Sequence, residues 1–580
     1  MRRAIALGVL VLAAGCGQEE RRSALLVTLD TTRADALSCY GNREPTTPVL
    51  DSLAKDGVAF DAAHTVMALT LPAHTSMLTG LAPLRHGLRD NGVGALPESA
   101  QTIAVRAHAA GLDTAAFVSS VVLDDDFGLQ RGFDVYSVPE RRGATERAHG
   151  AERPSSATID AALAWLAKRD PSRPFFLWVH LYDPHHPYTP GAPWAGRFST
   201  PYLAEVAGMD HELGRLFDDL RARGLFDETF VLALADHGEA FGEHGEVTHG
   251  TYCYETTLHV PLIARWPGKT ADRRAGTRSR ELVSSIDVAP TLAEALGLAP
   301  LEGIDGVSFY SHAPPSDRGV YFESYYGYLS CGWSPLAGWM DERGKYIHSS
   351  EPELYDWRAD PEELHDLAPE RAGELERYRG AIARLAEEPA LHADALGEDG
   401  ETLEGIRALG YATGGGEDAA ELPHPLAPST LASPRSQASF FAQQAKAQEL
   451  SAAGRNAEAA AIYAEVLRGS PNNFFAMEEL ATLQLELGRA EEAIPILTRL
   501  AEEGPQRGKY YLKLGLALAS AKRFEEAVEP LTRAVELTQG RPRYLDALGE
   551  VLEKLGRGKE MEALETRYRE QRPAKGNSGG

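Results

Sequence analysis

The stretch Phe230-Val-Leu-Ala-Leu-Ala-Asp236-His237 decides the fold. An unbroken run of apolar residues this short predicts a strand that is buried on both faces, as in a parallel sheet covered by helices. The run ends directly in a carboxylate and an imidazole. Ligands of open α/β sheets bind beyond the carboxyl ends of the strands. We therefore expect Asp236 and His237 to lie at a ligand site on that edge.

Three more apolar runs of this kind occupy residues 23–30, 114–119 and 174–183. Two of them also end in aspartate, at Asp30 and at Asp183. Helical patterns alternate with all four runs, which predicts an α/β domain with a largely parallel sheet between helices. Because parallel strands deliver their ends to one edge, these two carboxylates and Asp236 should converge in one site.

Length and charge limit the possible organisation and partners. A chain of 580 residues is too long for one ordinary core, so at least two domains are expected. The 58 basic and 84 acidic residues give a net charge of −26. That balance argues against nucleic acid as a partner, because binding phosphate backbones requires Lys and Arg. It leaves a small anionic substrate possible, since a metal ion can attract one locally.

The last third of the chain has a different pattern. Residues 411–437 are rich in Gly and Pro and predict a linker between residues 23–410 and 438–572. The latter region is helical and repeats every 34 residues, with Gly454, Gly488 and Gly556 at multiples of this step. This period is typical of tetratricopeptide repeats, so we expect a C-terminal all-α solenoid, followed by a tail at 573–580. Its concave surface would bind a protein or peptide.

The N-terminus has the layout of an export signal. Arg2 and Arg3 precede an apolar run that is too short to span a bilayer, and Gly15-Cys16-Gly17 follows. The segment resembles a bacterial lipobox, which implies that Cys16 is lipidated and that residues 1–22 are signal and tether. The alternative is an ordinary cleaved signal. We expect an exported protein that is anchored to a bacterial membrane, facing the periplasm or the outside. Gly17 favours the outer membrane.

A second motif identifies a family. The segment Thr70-Leu-Pro72-Ala-His74-Thr-Ser-Met-Leu-Thr79-Gly80 resembles the sulfatase signature of the alkaline phosphatase superfamily. It has Thr where that signature has Cys or Ser, and His where it has Arg. Other family motifs follow in order through residues 23–370, among them Asp30-Thr-Thr-Arg33, Asp183-Pro-His185-His186 and His249-Gly250. The resemblance implies an alkaline phosphatase/sulfatase-like fold and an ester hydrolase.

The threonine bears on the reaction. By resemblance, sulfatases use a formylglycine made from Cys or Ser, whereas Thr or Ser itself is the nucleophile in the phosphatase and phosphodiesterase branches. We therefore expect Thr70 to be the nucleophile in hydrolysis of a phosphate mono- or diester. A divalent cation acidifies a bound hydroxyl. Thr70 also stands where a helix begins, and backbone amides there would favour an anionic phosphoryl group.

The resemblance sorts the remaining site residues into two metal sets and two substrate contacts. The first set is Asp30, Thr70, Asp236 and His237. The second set is Asp183, His185 or His186, and His249. Nitrogen ligands suit zinc or manganese, whereas Thr31 stands where a further Asp would suit calcium. The alternative is a single metal, with His185 and His249 bonding substrate oxygens. Asn91 and Lys345 match positions that face the substrate in relatives.

Three other functions remain open from the residues. A sulfatase would share the fold, and Thr70 argues against it. A phosphoglycerol-type transferase would use the same nucleophile with another acceptor. An inactive scaffold, whose repeats bind a partner, would not need the metal-type residues that the sequence retains.

Overall fold

The computed structural model describes residues 22–139, 152–268, 274–394, 422–503, 508–538 and 540–571. The predicted signal with Cys16, the first part of the predicted linker and the predicted tail lie outside the described residues. Among the described helices, none is both long and apolar enough to cross a membrane.

The described residues form fourteen strands. They are β1 (Ser23–Leu29), β2 (Val58–Phe60), β3 (Ala63–His64), β4 (Asp113–Phe117), β5 (Val135–Ser137), β6 (Phe175–Leu181), β7 (Thr229–Ala235), β8 (Leu262–Arg265), β9 (Thr277–Ser279), β10 (Val283–Ser284), β11 (Val320–Ser324), β12 (Leu336–Asp341), β13 (Gly344–His348) and β14 (Glu353–Tyr355).

The first ten helices belong to the domain that contains these strands. They are α1 (Pro48–Asp56), α2 (Thr70–Thr79), α3 (Pro83–His86), α4 (Ile103–Ala109), α5 (Ser155–Lys168), α6 (Pro201–Ala222), α7 (Glu255–Leu258), α8 (Val288–Ala295), α9 (Tyr326–Cys331) and α10 (Leu375–Ala386).

The main sheet has eight strands in the order β5-β4-β6-β1-β7-β8-β2-β9. Strands β4, β6, β1 and β7, which the four apolar runs predict, form its parallel centre. Strand β8 runs antiparallel to both of its neighbours, β7 and β2. Two groups of helices cover the sheet: α6 packs on both α1 and α5, and α2, α4 and α8 pack on one another. The predicted α/β fold with a largely parallel sheet is therefore confirmed.

Two smaller sheets complete this domain. Strands β3 and β10 pair in parallel, and β11 to β14 form an antiparallel meander against which α10 packs. This meander was not expected from the sequence. Its strands carry buried polar residues such as Glu323 and Lys345 among the apolar ones, so their pattern is mixed.

The C-terminal helices form the predicted solenoid. They are α11 (Ala438–Ala452), α12 (Asn456–Gly469), α13 (Phe474–Glu486), α14 (Ala490–Glu503), α15 (Gly508–Ser520), α16 (Phe524–Leu537), α17 (Pro542–Lys554) and α18 (Gly558–Gln571). Each helix packs on the next. Gly454, Gly488 and Gly556 end the first helix of their pairs with φ of +74°, +73° and +72°. Lys522 holds the same place with φ of +62°, so the turn, and not the glycine, is what repeats.

The part of the predicted linker that the structure describes, residues 422–437, lies against the sheet domain. The Tyr325 hydroxyl donates to the Pro423 carbonyl over 2.8 Å, and the Ser334 amide donates to the Ala432 carbonyl over 2.8 Å. The Tyr252 hydroxyl donates to the Pro434 carbonyl over 3.1 Å. Because backbone carbonyls between the prolines find fixed donors, this segment is a packed connection. The described part of the predicted linker is thus held against the sheet domain at three points.

Candidate active site and metal centre

The register of the central strands sets the floor of the site. Leu29 at the end of β1 pairs with Ala235 at the end of β7, so the next residues, Asp30 and Asp236, are neighbours. Helix α2 is buried along its whole length and begins at Thr70 beside them. The edge predicted from the apolar runs is therefore where these side chains meet.

The first predicted metal set comes together. One ligand atom each from Asp30, Asp236 and His237 lies within 4.8 Å of the others, and all three side chains are buried. Thr70 Oγ1 is 3.5 Å from His237 Nε2. His237 Nδ1 is 3.0 Å from the Gly238 carbonyl, so Nδ1 carries the proton and donates. The Nε2 lone pair then faces Thr70 and Asp236, in the tautomer that binds metals.

The two carboxylates fit a divalent cation. In the described part of the chain, Asp30 Oδ1 and Asp236 Oδ2 are buried and have no hydrogen-bond partner. Burial raises the pKa of Asp30 to about 7, against a smaller lowering by His237. Burial also raises the pKa of Asp236, and the charge of Asp30 adds to that effect. Buried carboxylates of this kind are paired or bind metals, and a cation between them would favour their ionised forms.

Two further buried histidines, to which the sequence assigned no role, lie beside these carboxylates. His180 Nε2 lies 3.1 Å from Asp30 Oδ2, and its Nδ1 accepts the Ser119 amide over 3.2 Å. His74 Nδ1 lies 2.8 Å from the Thr70 carbonyl. Burial lowers the pKa of His180 to about 4 and that of His74 to about 3, so both are neutral. A His inside the apolar run at 174–183 was the signal for His180.

The start of α2 offers fewer free amides than its position predicts. The Leu71 amide donates to Asn91 Oδ1 over 2.9 Å, Pro72 has no N–H, and the Ala73 amide donates to the Leu69 carbonyl over 3.0 Å. Backbone binding of a phosphoryl group by these residues is therefore wrong. Asn91 itself is buried, and its Nδ2 has no partner among the described residues. This places a spare donor next to Thr70, as expected for a substrate contact.

The second predicted metal set is not assembled. Asp183 Oδ2 accepts the amide of Ser155 over 2.9 Å and also its hydroxyl, so it caps α5. His186 is exposed. Among the described residues, no group of His, Cys, Asp or Glu at ligand spacing includes Asp183, His185, His186 or His249. The ligands that come together in the described residues therefore match the one-metal alternative, and a second metal stays a prediction.

Two histidines of that set nevertheless lie beside the first centre. The His249 ring centroid is 4.4 Å from that of His237 and 5.4 Å from that of His185. His249 Nδ1 is 2.9 Å from Glu239 Oε1, whose other oxygen accepts the Tyr188 hydroxyl over 2.8 Å. His185 Nδ1 is 2.8 Å from the His186 carbonyl. This matches the alternative in which His185 and His249 contact substrate oxygens.

Lys345 does not act as predicted. Its side chain is fully buried on β13, and its ammonium lies 3.0 Å from Glu255 Oε1 and 2.8 Å from Glu363 Oε1. Two buried carboxylates therefore hold this cation, and Glu255 also pairs with His64 over 2.9 Å. The prediction that Lys345 contacts the substrate is corrected to a structural role in this buried ion cluster.

Comparison with known proteins places the two regions of the chain. Residues 22–298 match the family model Sulfatase, residues 242–378 match N-sulphoglucosamine sulphohydrolase, C-terminal, and residues 450–515 match Tetratricopeptide repeat. Human arylsulfatase A is 26% identical over 458 residues, which cover 65% of this chain and 89% of that protein. The multifunctional alkaline phosphatase superfamily protein PehA of Trinickia caryophylli is 25% identical over 474 residues, covering 60% and 91%.

Solved structures show the same fold. The phosphonate monoester hydrolase of Agrobacterium radiobacter superposes with a TM-score of 0.54 at 23% identity, covering 63% of this chain and 95% of that chain. The described helices extend the repeat region beyond the matched residues, from α11 to α18. The chain thus carries a hydrolase domain that matches the Sulfatase family model and is similar to ester hydrolases of the alkaline phosphatase superfamily, followed by tetratricopeptide repeats.

Proposed function

We propose that this protein hydrolyses a phosphate mono- or diester with Thr70 as the nucleophile. The observation that carries the proposal is the position of the Thr70 hydroxyl, at the start of buried α2 and 3.5 Å from His237 Nε2, beside two buried carboxylates. A hydroxyl so placed can form a covalent phosphoester, as activated Ser and Thr nucleophiles do.

The reaction has two steps, formation of a phosphothreonine and its hydrolysis. Thr70 Oγ1 forms a bond to phosphorus, the bond from phosphorus to the leaving alcohol breaks, and the proton lost by Thr70 ends on that alcohol. A water oxygen then forms a bond to phosphorus, the bond from phosphorus to Thr70 Oγ1 breaks, and one proton of the water restores the Thr70 hydroxyl while the phosphate product leaves. A divalent cation held by Asp30, Asp236 and His237 would lower the pKa of the nucleophile and attract the anionic ester. Asn91 Nδ2 supplies a hydrogen bond to a phosphoryl oxygen.

The ligand set favours zinc or manganese over calcium in this proposal. His237 offers a nitrogen, which calcium sites rarely use. Thr31, which follows Asp30, adds no carboxylate, and its hydroxyl donates to the Pro184 carbonyl. Three protein ligands and a hydroxyl therefore form a small site of mixed nitrogen and oxygen donors.

Sulfate ester hydrolysis is the second candidate, and the comparisons favour it over the phosphate reaction. Most relatives are named as sulfatases, including human arylsulfatase A and an arylsulfatase of Clostridium perfringens. Against it stands Thr70 itself, because its Cβ carries a methyl group and sulfatase maturation, by family resemblance, starts from Cys or Ser. The residue that performs the chemistry weighs more here than the names of relatives at about a quarter identity.

For the whole chain we propose an exported, Cys16-anchored protein that faces the periplasm or the outside. The repeats would bind a protein or peptide partner. The match to tetratricopeptide repeats is the reason to propose a protein or peptide partner. The lipobox-like segment around Cys16 is the reason to propose a lipid anchor.

The deciding experiment compares matched aryl esters. Purified full-length protein, stripped and reloaded with zinc, manganese, calcium or magnesium, is assayed on an aryl phosphate, a bis-aryl phosphate and the aryl sulfate with the same leaving group. We expect phosphate ester cleavage at least a hundredfold faster than sulfate cleavage, with zinc or manganese giving the higher rate. Faster sulfate cleavage would overturn the proposal in favour of the second candidate.

A further inference from the structure

The segment that carries His249 is an ordered loop, residues 238–252, here called the His249 loop. Its two arms pair, since the Ala240 amide donates to the Thr248 carbonyl and the Gly242 amide donates to the Glu246 carbonyl, both over 2.7 Å. Buried Glu246 accepts the Thr251 amide over 2.8 Å. These hydrogen bonds connect the tip of the loop to the arm that carries His249.

The inner side of the His249 loop contacts the nucleophile's neighbour. Gly250 adopts φ of +100°, and a Cβ there would lie 3.0 Å from Leu69 Cδ2, directly before Thr70. The Gly250 carbonyl accepts the Ser324 hydroxyl from the end of β11. His249 lies beside His237, as described above. The inner side is thus packed against the site with no spare volume at Gly250.

The outer side of the same loop contacts the first repeat helix, α11. A Cβ on Gly245, at the tip, would lie 2.8 Å from Ala438 Cβ, at the first residue of α11. Tyr252, at the base, donates its hydroxyl to the Pro434 carbonyl over 3.1 Å, and its ring lies 6.5 Å from that of Phe441. The His249 loop therefore lies between the candidate metal ligands, Asp30, Asp236 and His237, and the repeat module.

A second contact fixes the repeat module in this position. Buried Trp333, just after α9, donates from Nε1 to the Ser470 hydroxyl over 3.1 Å. A Cβ on Gly332 would lie 2.5 Å from the Asn472 carbonyl oxygen, and α9 packs on α13. Two separated contacts, of which the one at Trp333 is buried and the one at Gly245 is half-buried, resist rotation about either one, so α11 is held against the His249 loop.

We propose that the repeat module positions His249 through the Gly245–Ala438 contact, which makes the first repeat helix part of the catalytic unit. This inference rests on the proposed function, with His249, which lies beside His237, contacting the oxygens of the ester. Gly245 and Ala438 are positioning residues, since neither touches the metal-type side chains. The repeats thus act on the catalytic rate as well as offering a surface to a partner.

The loop supplies its own matched control. Gly245 and Gly242 both have left-handed backbones, with φ of +85° and +114°, but a Cβ on Gly242 meets nothing within 4 Å. Gly245→Ala and Gly242→Ala in the full chain therefore impose similar backbone strain, and only the first also presses on α11. Ala438→Gly removes the methyl group that Gly245→Ala would meet, so the double variant restores the space while keeping the strain.

We expect Gly245→Ala to lower kcat on the aryl phosphate about tenfold, Gly242→Ala to lower it less than threefold, and Gly245→Ala with Ala438→Gly to return to the Gly242→Ala level. Amide exchange in residues 248–252 should quicken only in Gly245→Ala, with metal content unchanged. Equal effects of the two single variants, or no rescue by Ala438→Gly, would overturn the inference. If no ester is cleaved at all, the proposed function fails, and the exchange pattern alone decides the positioning contact.

Discussion

His180 Nε2 donates a hydrogen bond to Asp30 Oδ2 over 3.1 Å, between the adjacent strands β6 and β1. The proton on Nε2 follows from the Ser119 amide, which donates to His180 Nδ1 over 3.2 Å. The Ser119 amide, which follows β4, therefore fixes the tautomer of His180. His180 in turn fixes the orientation of the Asp30 carboxylate. The remaining oxygen, Asp30 Oδ1, is left for a cation.

This relationship predicts the effect of replacing His180. His180→Leu removes the donor to Asp30 and should weaken zinc binding about 10–100-fold, the usual cost of losing a supporting partner of a metal ligand. Competition with a chromogenic chelator measures the affinity. His365→Ala, at an exposed histidine, is the control and should bind zinc as the wild type does. Unchanged affinity in His180→Leu would show that Asp30 needs no support.

The buried carboxylates predict a pH-dependent metal affinity. The pKa of Asp30 is raised to about 7, so in the metal-free protein Asp30 holds a proton below that pH. Cation binding needs the ionised form and must release this proton. Apparent affinity should fall up to tenfold per unit as pH drops from 7 to 5, and level off above about 8. Calorimetry in buffers of different ionisation enthalpy would count the released proton, and a flat profile would contradict the assignment.

Replacing Lys345 should lower the free energy of unfolding without a matching loss of catalytic activity. Lys345→Met leaves Glu255 and Glu363 buried without their shared cation, a change that costs about 3–5 kcal/mol in comparable buried pairs. Denaturant unfolding measures the loss. Lys345→Met with Glu363→Gln removes one of the two charges and should recover part of it. A variant with normal stability and a tenfold higher KM would restore the substrate role that the sequence suggested.

The floor of the site could be predicted from the sequence because short apolar runs mark where parallel strands end. Asp30 and Asp236 follow two such ends, and the pairing of β1 with β7 in the structure makes them neighbours. The sequence did not indicate that Asp183 Oδ2 accepts the Ser155 amide, because that contact depends on where α5 begins relative to the end of β6. His74 stands at a departure from the family motif that the sequence shows, but its bond to the Thr70 carbonyl exists only in the folded helix.

The repeat region shows the same limit at a larger scale. The 34-residue period was enough to predict the helical solenoid. Composition suggested a free linker before it, since Pro and Gly are common in tethers. The hydrogen bonds from Tyr252 and Tyr325 to Pro434 and Pro423 come from residues about 100–180 positions away, and no local pattern encodes them.

The N-terminal segment gives a prediction that is independent of the fold. If Cys16 carries the lipid, Cys16→Ser should move the protein from the washed membrane fraction to the soluble exported fraction, because several acyl chains are needed for stable anchoring. Fractionation and immunoblotting measure the distribution. Gly17→Ala, which keeps the thiol, should stay with the membrane. Membrane retention of Cys16→Ser through detergent-free washing would exclude the anchor.

Substitutions of Thr70 give the most discriminating prediction, because they separate phosphate ester hydrolysis, sulfate ester hydrolysis and an inactive scaffold. Thr70→Ala removes the nucleophile and should lower kcat on the aryl phosphate by a factor of about 10³ or more, while zinc content falls little because three ligands remain. Thr70→Ser keeps the hydroxyl and should retain activity within about tenfold. Trapping with an aryl phosphate followed by mass spectrometry should find phosphate on residue 70 in the wild type and in Thr70→Ser only.

Thr70→Cys, expressed with a formylglycine-generating enzyme, supplies the cysteine that sulfatase maturation requires. A gain of sulfate ester cleavage in that variant would show that the threonine alone sets the choice of ester in this scaffold. Full phosphate activity in Thr70→Ala would instead remove Thr70 from the mechanism, and no cleavage of any ester by the metal-loaded wild type would favour the inactive scaffold.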